Sequence, residues 1–179
     1  MHYGRSLFTL CMAAALAACG GGGDSGGGGN DIALQGTWIY SSDAHNTGSL
    51  CGLDAQGNYG ERQTFIFSAN TYTFTREGCL ILQQGNTGGY LESDRASGTY
   101  ATGGVYVSSN DPTAVMTALD FQGLNVPYTS FNISNNVLKI AYPFSTHTGK
   151  TPDTRAFQTA SFYDPIQKTV IRVPSFNKY

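Results

Sequence analysis

Between Glu61 and Glu77 apolar and polar residues alternate, a pattern that suits a β-hairpin and little else. Phe65 and Phe67 share one face, Tyr72 and Phe74 share one face, and Thr71, Thr73 and Thr75 lie opposite, with Ala69-Asn70 as the turn. A repeat of two residues marks a strand with one face buried. Similar segments recur along the chain. Trp38-Ile39-Tyr40 opens a first strand, and Tyr128 to Ile133 and Val137 to Tyr142 flank Ser134-Asn135-Asn136 as a second hairpin. Cys79 to Gln84 reads as a short strand. Tyr90 to Tyr100 continues the sheet, and Gly103-Gly104 is expected to turn it into Val105-Tyr106-Val107. Ala114 to Phe121 leans to strand because Val115, Thr117, Leu119 and Phe121 alternate, although its Ala and Met content would allow a short helix. Ala156 to Tyr163 and Lys168 to Val173 make a last pair around Asp164-Pro165, while Asp43 to Tyr59 and Pro143 to Asp153 read as polar loops.

About eight to ten short antiparallel strands in one domain close on themselves or sandwich, because open strand edges invite aggregation. The expectation is therefore all-β, an up-and-down β-barrel or, as the alternative, a β-sandwich. Composition agrees. Charged residues make up 12% of the chain, and Tyr, Phe, Val, Ile and Thr are frequent without a long Ala/Leu/Glu/Lys run. The 10 basic and 12 acidic residues leave no positive field for nucleic acid or anionic lipid.

The first thirty residues are of a different kind. Arg5 provides a thin positive start, Leu7 to Ala18 is apolar, and Leu16-Ala17-Ala18-Cys19 follows. An apolar run of about 12 residues is too short to span a bilayer, which takes roughly 20. This stretch resembles the bacterial lipoprotein signal. That resemblance implies that residues 1–18 are removed and that Cys19 carries a diacylglycerol on its sulfur and a further acyl group on its new amino terminus. Each buried CH₂ contributes about 0.8 kcal/mol, so two or three fatty chains hold a protein in a membrane. Residues 19–30 would be the lipidated cysteine and its tether. Gly20 to Gly29 is broken only by Asp24 and Ser25, and ten such residues behave as a coil spanning roughly 16–19 Å. Gly20 stands where an aspartate favours retention in the inner membrane of such proteins, so the resemblance points to the outer membrane, facing the periplasm or the cell surface. Residues 31–179 remain as a single domain. The chain from Cys19 on, with Arg5 lost, has a formal charge of 9 − 12 = −3.

Cys11 leaves with the signal and Cys19 carries lipid. Cys51 and Cys79 are then an even pair in an oxidising compartment, where a disulfide is the default. A two-thiol metal or redox site would want a close Cys-x-x-Cys pair or neighbouring histidines.

Gly36-Thr37-Trp38 on the first strand resembles the Gly-x-Trp signature of lipocalins and of lipocalin-like bacterial lipoproteins. The resemblance implies that Trp38 caps the closed end of an up-and-down barrel and that an arginine from a late strand packs on it. Arg172 is the matching residue, with Arg155 second. Gly98-Thr99-Tyr100 repeats a Gly-Thr-aromatic triplet after the cysteines. The chain departs from the main lipocalin pattern in lacking a central Thr-Asp-Tyr.

No Gly-x-Ser-x-Gly, His-Glu-x-x-His or phosphate loop is present, and no catalytic residue, metal or cofactor is assigned. His45 and His147 sit in polar loops and could join Asp43 or Asp153 at a metal, but loop histidines are mostly solvated; Glu92 and Asp94 read as a solvated strand face beside Arg95. The aromatic set Tyr40, Phe65, Phe67, Tyr72, Phe74, Tyr100 and Tyr106, with Trp38, would fill the core or, around a cavity, line it with Phe121, Phe131 and Ile140. The expected protein is a lipid-anchored, non-catalytic, extracytoplasmic lipocalin-like domain that binds a small apolar ligand. The alternative is a structural or interaction module of the envelope with a filled barrel. The expected partner is the membrane, through the lipid on Cys19, and no nucleic acid.

Overall fold

The computed structural model describes residues 32–43, 48, 50–80, 88–107, 115–124, 127–141, 149–151, 155, 162–164, 168–171 and 173–179. All of its regular structure is strand. In chain order these are β1 (Gly36–Ser41), β2 (Leu50–Cys51), β3 (Glu61–Phe67), β4 (Thr71–Leu80), β5 (Gly88–Val107), β6 (Val115–Phe121), β7 (Tyr128–Ser134), β8 (Val137–Ile140), β9 (Phe162–Asp164), β10 (Thr169–Ile171) and β11 (Ser175–Lys178).

Eight of them, β1, β3 to β8 and β11, form a closed antiparallel up-and-down barrel. Each pairs with the next in chain order, β5 pairs with β6, and β11 returns to pair with both β8 and β1. The barrel, not the sandwich, is the architecture. Closure depends on the 20 residues of β5. Its stretch Gly89–Thr99 pairs with β4, and Tyr100–Val107 pairs with β6, which supplies the stagger that a tilted barrel needs.

The alternation in the sequence is the alternation of burial. Phe65 and Phe67 are buried while Ile66 between them is 45% exposed. Asn135 and Asn136 turn β7 into β8 with φ of 51° and 60°, the left-handed values that a two-residue hairpin turn needs and asparagine tolerates. Buried aromatic and leucine side chains from all around the barrel make one core, including Trp38, Phe65, Phe121, Phe131, Leu138 and Phe176. Burying each such side chain contributes about 1.5–3 kcal/mol.

Four expectations need correction. Gly103-Gly104 is not a hairpin turn but a bulge inside β5, where the register against β6 shifts between Thr102 and Val105. Cys79 does not open a separate strand: Cys79 and Leu80 end β4, and 81–87 lie outside the described residues. The last pair of strands, β9 and β10, forms its own two-stranded sheet. The strand that closes the barrel is β11, which has only Phe176 buried among four residues. The Asp43–Tyr59 stretch also carries structure, with β2 paired to the start of β5 and a bridge from Leu53 to Tyr59.

Candidate functional site

The inward-facing residues of the barrel are of two kinds. Toward the end where β1 begins they are aromatic and aliphatic. Phe65 on β3 stacks at 5.4 Å on Phe67 and meets Phe74 of β4 at 4.7 Å. It also reaches Phe121 of β6 at 5.9 Å and Phe176 of β11 at 5.4 Å. Since β3 and β6 are three strands apart around the barrel, the Phe65–Phe121 contact crosses the interior. Tyr72 adds an edge-on contact to Phe121 at 4.7 Å, and Tyr100 one to Phe67 at 5.1 Å. Ring against ring across the axis fills the barrel at this level, as side chains can in a barrel of eight strands.

Toward the other end the lining turns polar. Arg76 reaches Glu61 at 2.5 Å, and Gln63 donates to the same carboxylate. Below them Tyr40 and Phe74 are only partly buried against the core. This mouth is the place where the aromatic interior approaches solvent.

The aromatic set is thus divided. Phe65, Phe67, Tyr72 and Tyr100 are in the core, and Tyr40 and Phe74 border it. Tyr106 is a correction: it lies opposite Met116 on the other face of the β5–β6 pair, with its hydroxyl folded toward Gly104 beyond the bulge.

Trp38 is fully buried, and its Nε1–H donates to the carbonyl of Leu34 at 2.6 Å. Leu34, also fully buried, belongs to the turn over 32–34 that covers this end of the barrel. Gly36 has φ of +126°, a value open to glycine. A β-carbon there would stand 3.1 Å from Cε of Lys178. That approach lets the Lys178 side chain pass over Gly36 and set its ammonium 5.2 Å from the centre of the Trp38 ring. The cation on Trp38 is therefore a lysine of β11. Arg172 lies outside the described residues. Arg155 does not pack on Trp38: it is buried on the outer face of β6 and β7, 2.5 Å from Asp120 and 2.7 Å from the Thr129 carbonyl. Its Nε–H and Nη2–H also point to the Lys150 carbonyl, so it fastens the connection after β8 onto the barrel wall.

A second group of polar side chains went unseen in the sequence. Cys51 and Cys79 form a disulfide with their Cα atoms 5.6 Å apart, tying β2 to the end of β4. Next to it the Asp43 carboxylate accepts hydrogen bonds from Ser41, from Tyr90 at 2.5 Å and from the Gly52 amide at 2.8 Å. Gly60 packs so closely here that a β-carbon would fall 2.3 Å from Asp43 Oδ2. Arg62 lies 4.2 Å over the Tyr90 ring and pairs with Glu77 through two hydrogen bonds of 2.6 and 3.0 Å. The bond to Glu77 chiefly holds the Arg62 charge more firmly than usual. Burial, and then the bond to Asp43, pushes the Tyr90 phenol up to about 12. Chemically this is a latch. Each carboxylate is matched to donors, and the group fixes the β1–β3 connection against the outer wall.

Glu92 and Asp94 are not on one face. A register shift against β4 pairs Asp94 with Arg76 and Glu92 with Glu77, so they face opposite sides. His45, His147 and Asp153 lie outside the described residues, as does Cys19.

No protein-family model, curated protein or solved structure matches this chain. The barrel and its side chains carry the functional reading.

Proposed function

We propose that this chain is a lipid-anchored, non-catalytic barrel of the cell envelope that acts through its surface as a structural or interaction module, with its interior filled by its own side chains. The observation that carries this reading is the contact of Phe65 with Phe121 across the barrel, flanked by Phe67, Tyr72 and Phe176. Rings that meet across the axis leave no room at that level for an apolar guest. The non-catalytic part rests on the Asp43–Tyr90–Arg62–Glu77 group, whose hydrogen bonds run among its own members and to the loop backbone. The envelope location rests on the Leu16-Ala17-Ala18-Cys19 signal and the glycine tether.

A second reading keeps the small apolar ligand but moves it to the mouth. Tyr40 and Phe74 are incompletely covered there, below Arg76 and Glu61. A ligand with an apolar body and a polar head fits that gradient.

Native mass spectrometry of the protein extracted from its own membranes in mild detergent separates the two. The first reading expects the mass of the lipidated polypeptide alone. A retained small molecule, lost on Phe74→Arg, overturns it in favour of the second. For the anchor, Cys19→Ala should move the protein from the membrane pellet to the soluble fraction, and a variant that stays in the pellet would refute it.

A further inference from the structure

We propose that the floor of the barrel, the end bearing Trp38, docks on the lipid surface. This rests on the reading of Cys19 as a lipid anchor. The up-and-down order puts the start of β1, the end of β5, the start of β6 and the end of β11 at one end. Five exposed apolar side chains lie on those segments; Leu50, Leu53, Tyr59, Leu80 and Leu91 are exposed toward the other end, where ionised groups surround them. Ile32 and Tyr179 are each 80% exposed, Val105 64%, Val107 57% and Val115 49%. Val107 and Val115 are direct cross-strand partners, and Val105 lies two residues along β5 on the same face. Of the connections at this end, Ser68 to Asn70 and Ser134 to Asn136 are uncharged, and the one between β5 and β6 carries the single acid Asp111.

Among the described residues of this end the charged side chain is Lys178, held over Trp38. The opposite end carries Glu61, Arg62, Arg76, Glu77, Glu92 and Asp94. Bringing the charged end to a bilayer would strip water from ionised groups, whereas the floor brings valine, isoleucine and tyrosine, which suit the headgroup boundary.

The chain itself delivers the floor to the membrane. Residues 19–31 lead into the turn at Ile32, at the floor. A tether of ten glycine-rich residues reaches roughly 16–19 Å, so a lipid on Cys19 holds this end within contact of the surface. A weak apolar contact suffices when it is intramolecular in this way.

The test uses the full lipidated protein in vesicles of phosphatidylethanolamine and phosphatidylglycerol with brominated acyl chains. Val107→Trp and Ile32→Trp place a fluorophore on the floor from two separate elements, and Leu91→Trp places one at the other end. Wild type supplies the Trp38 background. The expected result is a blue shift and loss of emission at 107 and 32 but not at 91. Floor tryptophans quenched no more than the one at 91 overturn the docking. Sedimentation of the same samples reads the anchor. If wild type fails to sediment with vesicles, the anchor falls and the docking with it. If it sediments and the floor stays unquenched, the docking alone falls. Should Val107→Trp misfold, Ile32→Trp, on an exposed turn, still reports.

Discussion

Phe65 and Phe121 stack across the barrel from β3 and β6, ring centres 5.9 Å apart and planes 21° from parallel. Two strands that share no hydrogen bond are joined through their side chains. Phe121 also touches Phe67 and Tyr72, so it is one hub of the ring cluster inside the barrel.

Removing that hub tests the filling directly. Phe121→Ala should cost about 3–5 kcal/mol, since the opposing walls cannot collapse onto the gap. Urea unfolding followed by circular dichroism reads the loss. The variant should also bind benzene, as dry apolar cavities do, and wild type should not. Benzene binding by wild type would show that the interior holds a cavity already.

The disulfide closes a long segment, Cys79 following Cys51 at a sequence separation of 28. In the chain-entropy picture such a crosslink stabilises by about 3–4 kcal/mol. Reduction should raise the mass of the domain by two hydrogens and lower the denaturation midpoint by a matching amount. An unchanged mass would remove the bridge.

Tyr90 predicts a loss of stability in strong alkali. Its phenol ionises near 10.0 when unfolded and at about 12 when folded. Between those values the unfolded chain binds fewer protons than the native one, so stability falls as pH rises. The contribution is full below pH 10 and gone above the folded value. The phenolate absorbance of wild type minus that of Tyr90→Phe should titrate near 12; a midpoint near 10 would place Tyr90 outside the latch. The Tyr90→Phe variant should also show a shallower fall in stability across that window.

Gly98 meets the connection between β6 and β7 more closely than any side chain could. A β-carbon there would stand 2.0 Å from the Gln122 carbonyl and 3.2 Å from the Tyr72 ring. Gly98→Ala should destabilise by about 1–3 kcal/mol, the usual cost of overpacking. A thermal melt unchanged from wild type would mean that the connection moves aside freely.

Much of the barrel was legible because burial on one face writes a period of two into sequence, as at Phe65–Phe67 and Tyr72–Phe74. Where a strand buries one residue the signal vanishes, and β11, with only Phe176 buried, was missed. That omission also hid Lys178, which lies over Trp38, while Arg172, to which the lipocalin resemblance points, lies outside the described residues. Paired glycines mark a turn or a bulge equally well. Gly103-Gly104 could be settled only by the pairing of Val105 and Val107 to β6. The Asp43–Tyr90 latch joins residues 47 apart, with no local pattern to announce it.

The pairing of β1 with β11 has a consequence for how the molecule is made. Every other seam of the barrel joins strands that follow one another around the meander, but this one joins Trp38 to Lys178. A chain emerging from its amino end must keep β1 as an open edge until nearly all the rest has arrived. Such long-range closure is slow, and an unpaired edge is exposed to other chains meanwhile. The turn at Leu34 and the tilt of the strands do not remove that edge; only β11 does. Trp38, covered at last by Lys178, is a natural reporter for the moment when the ring shuts.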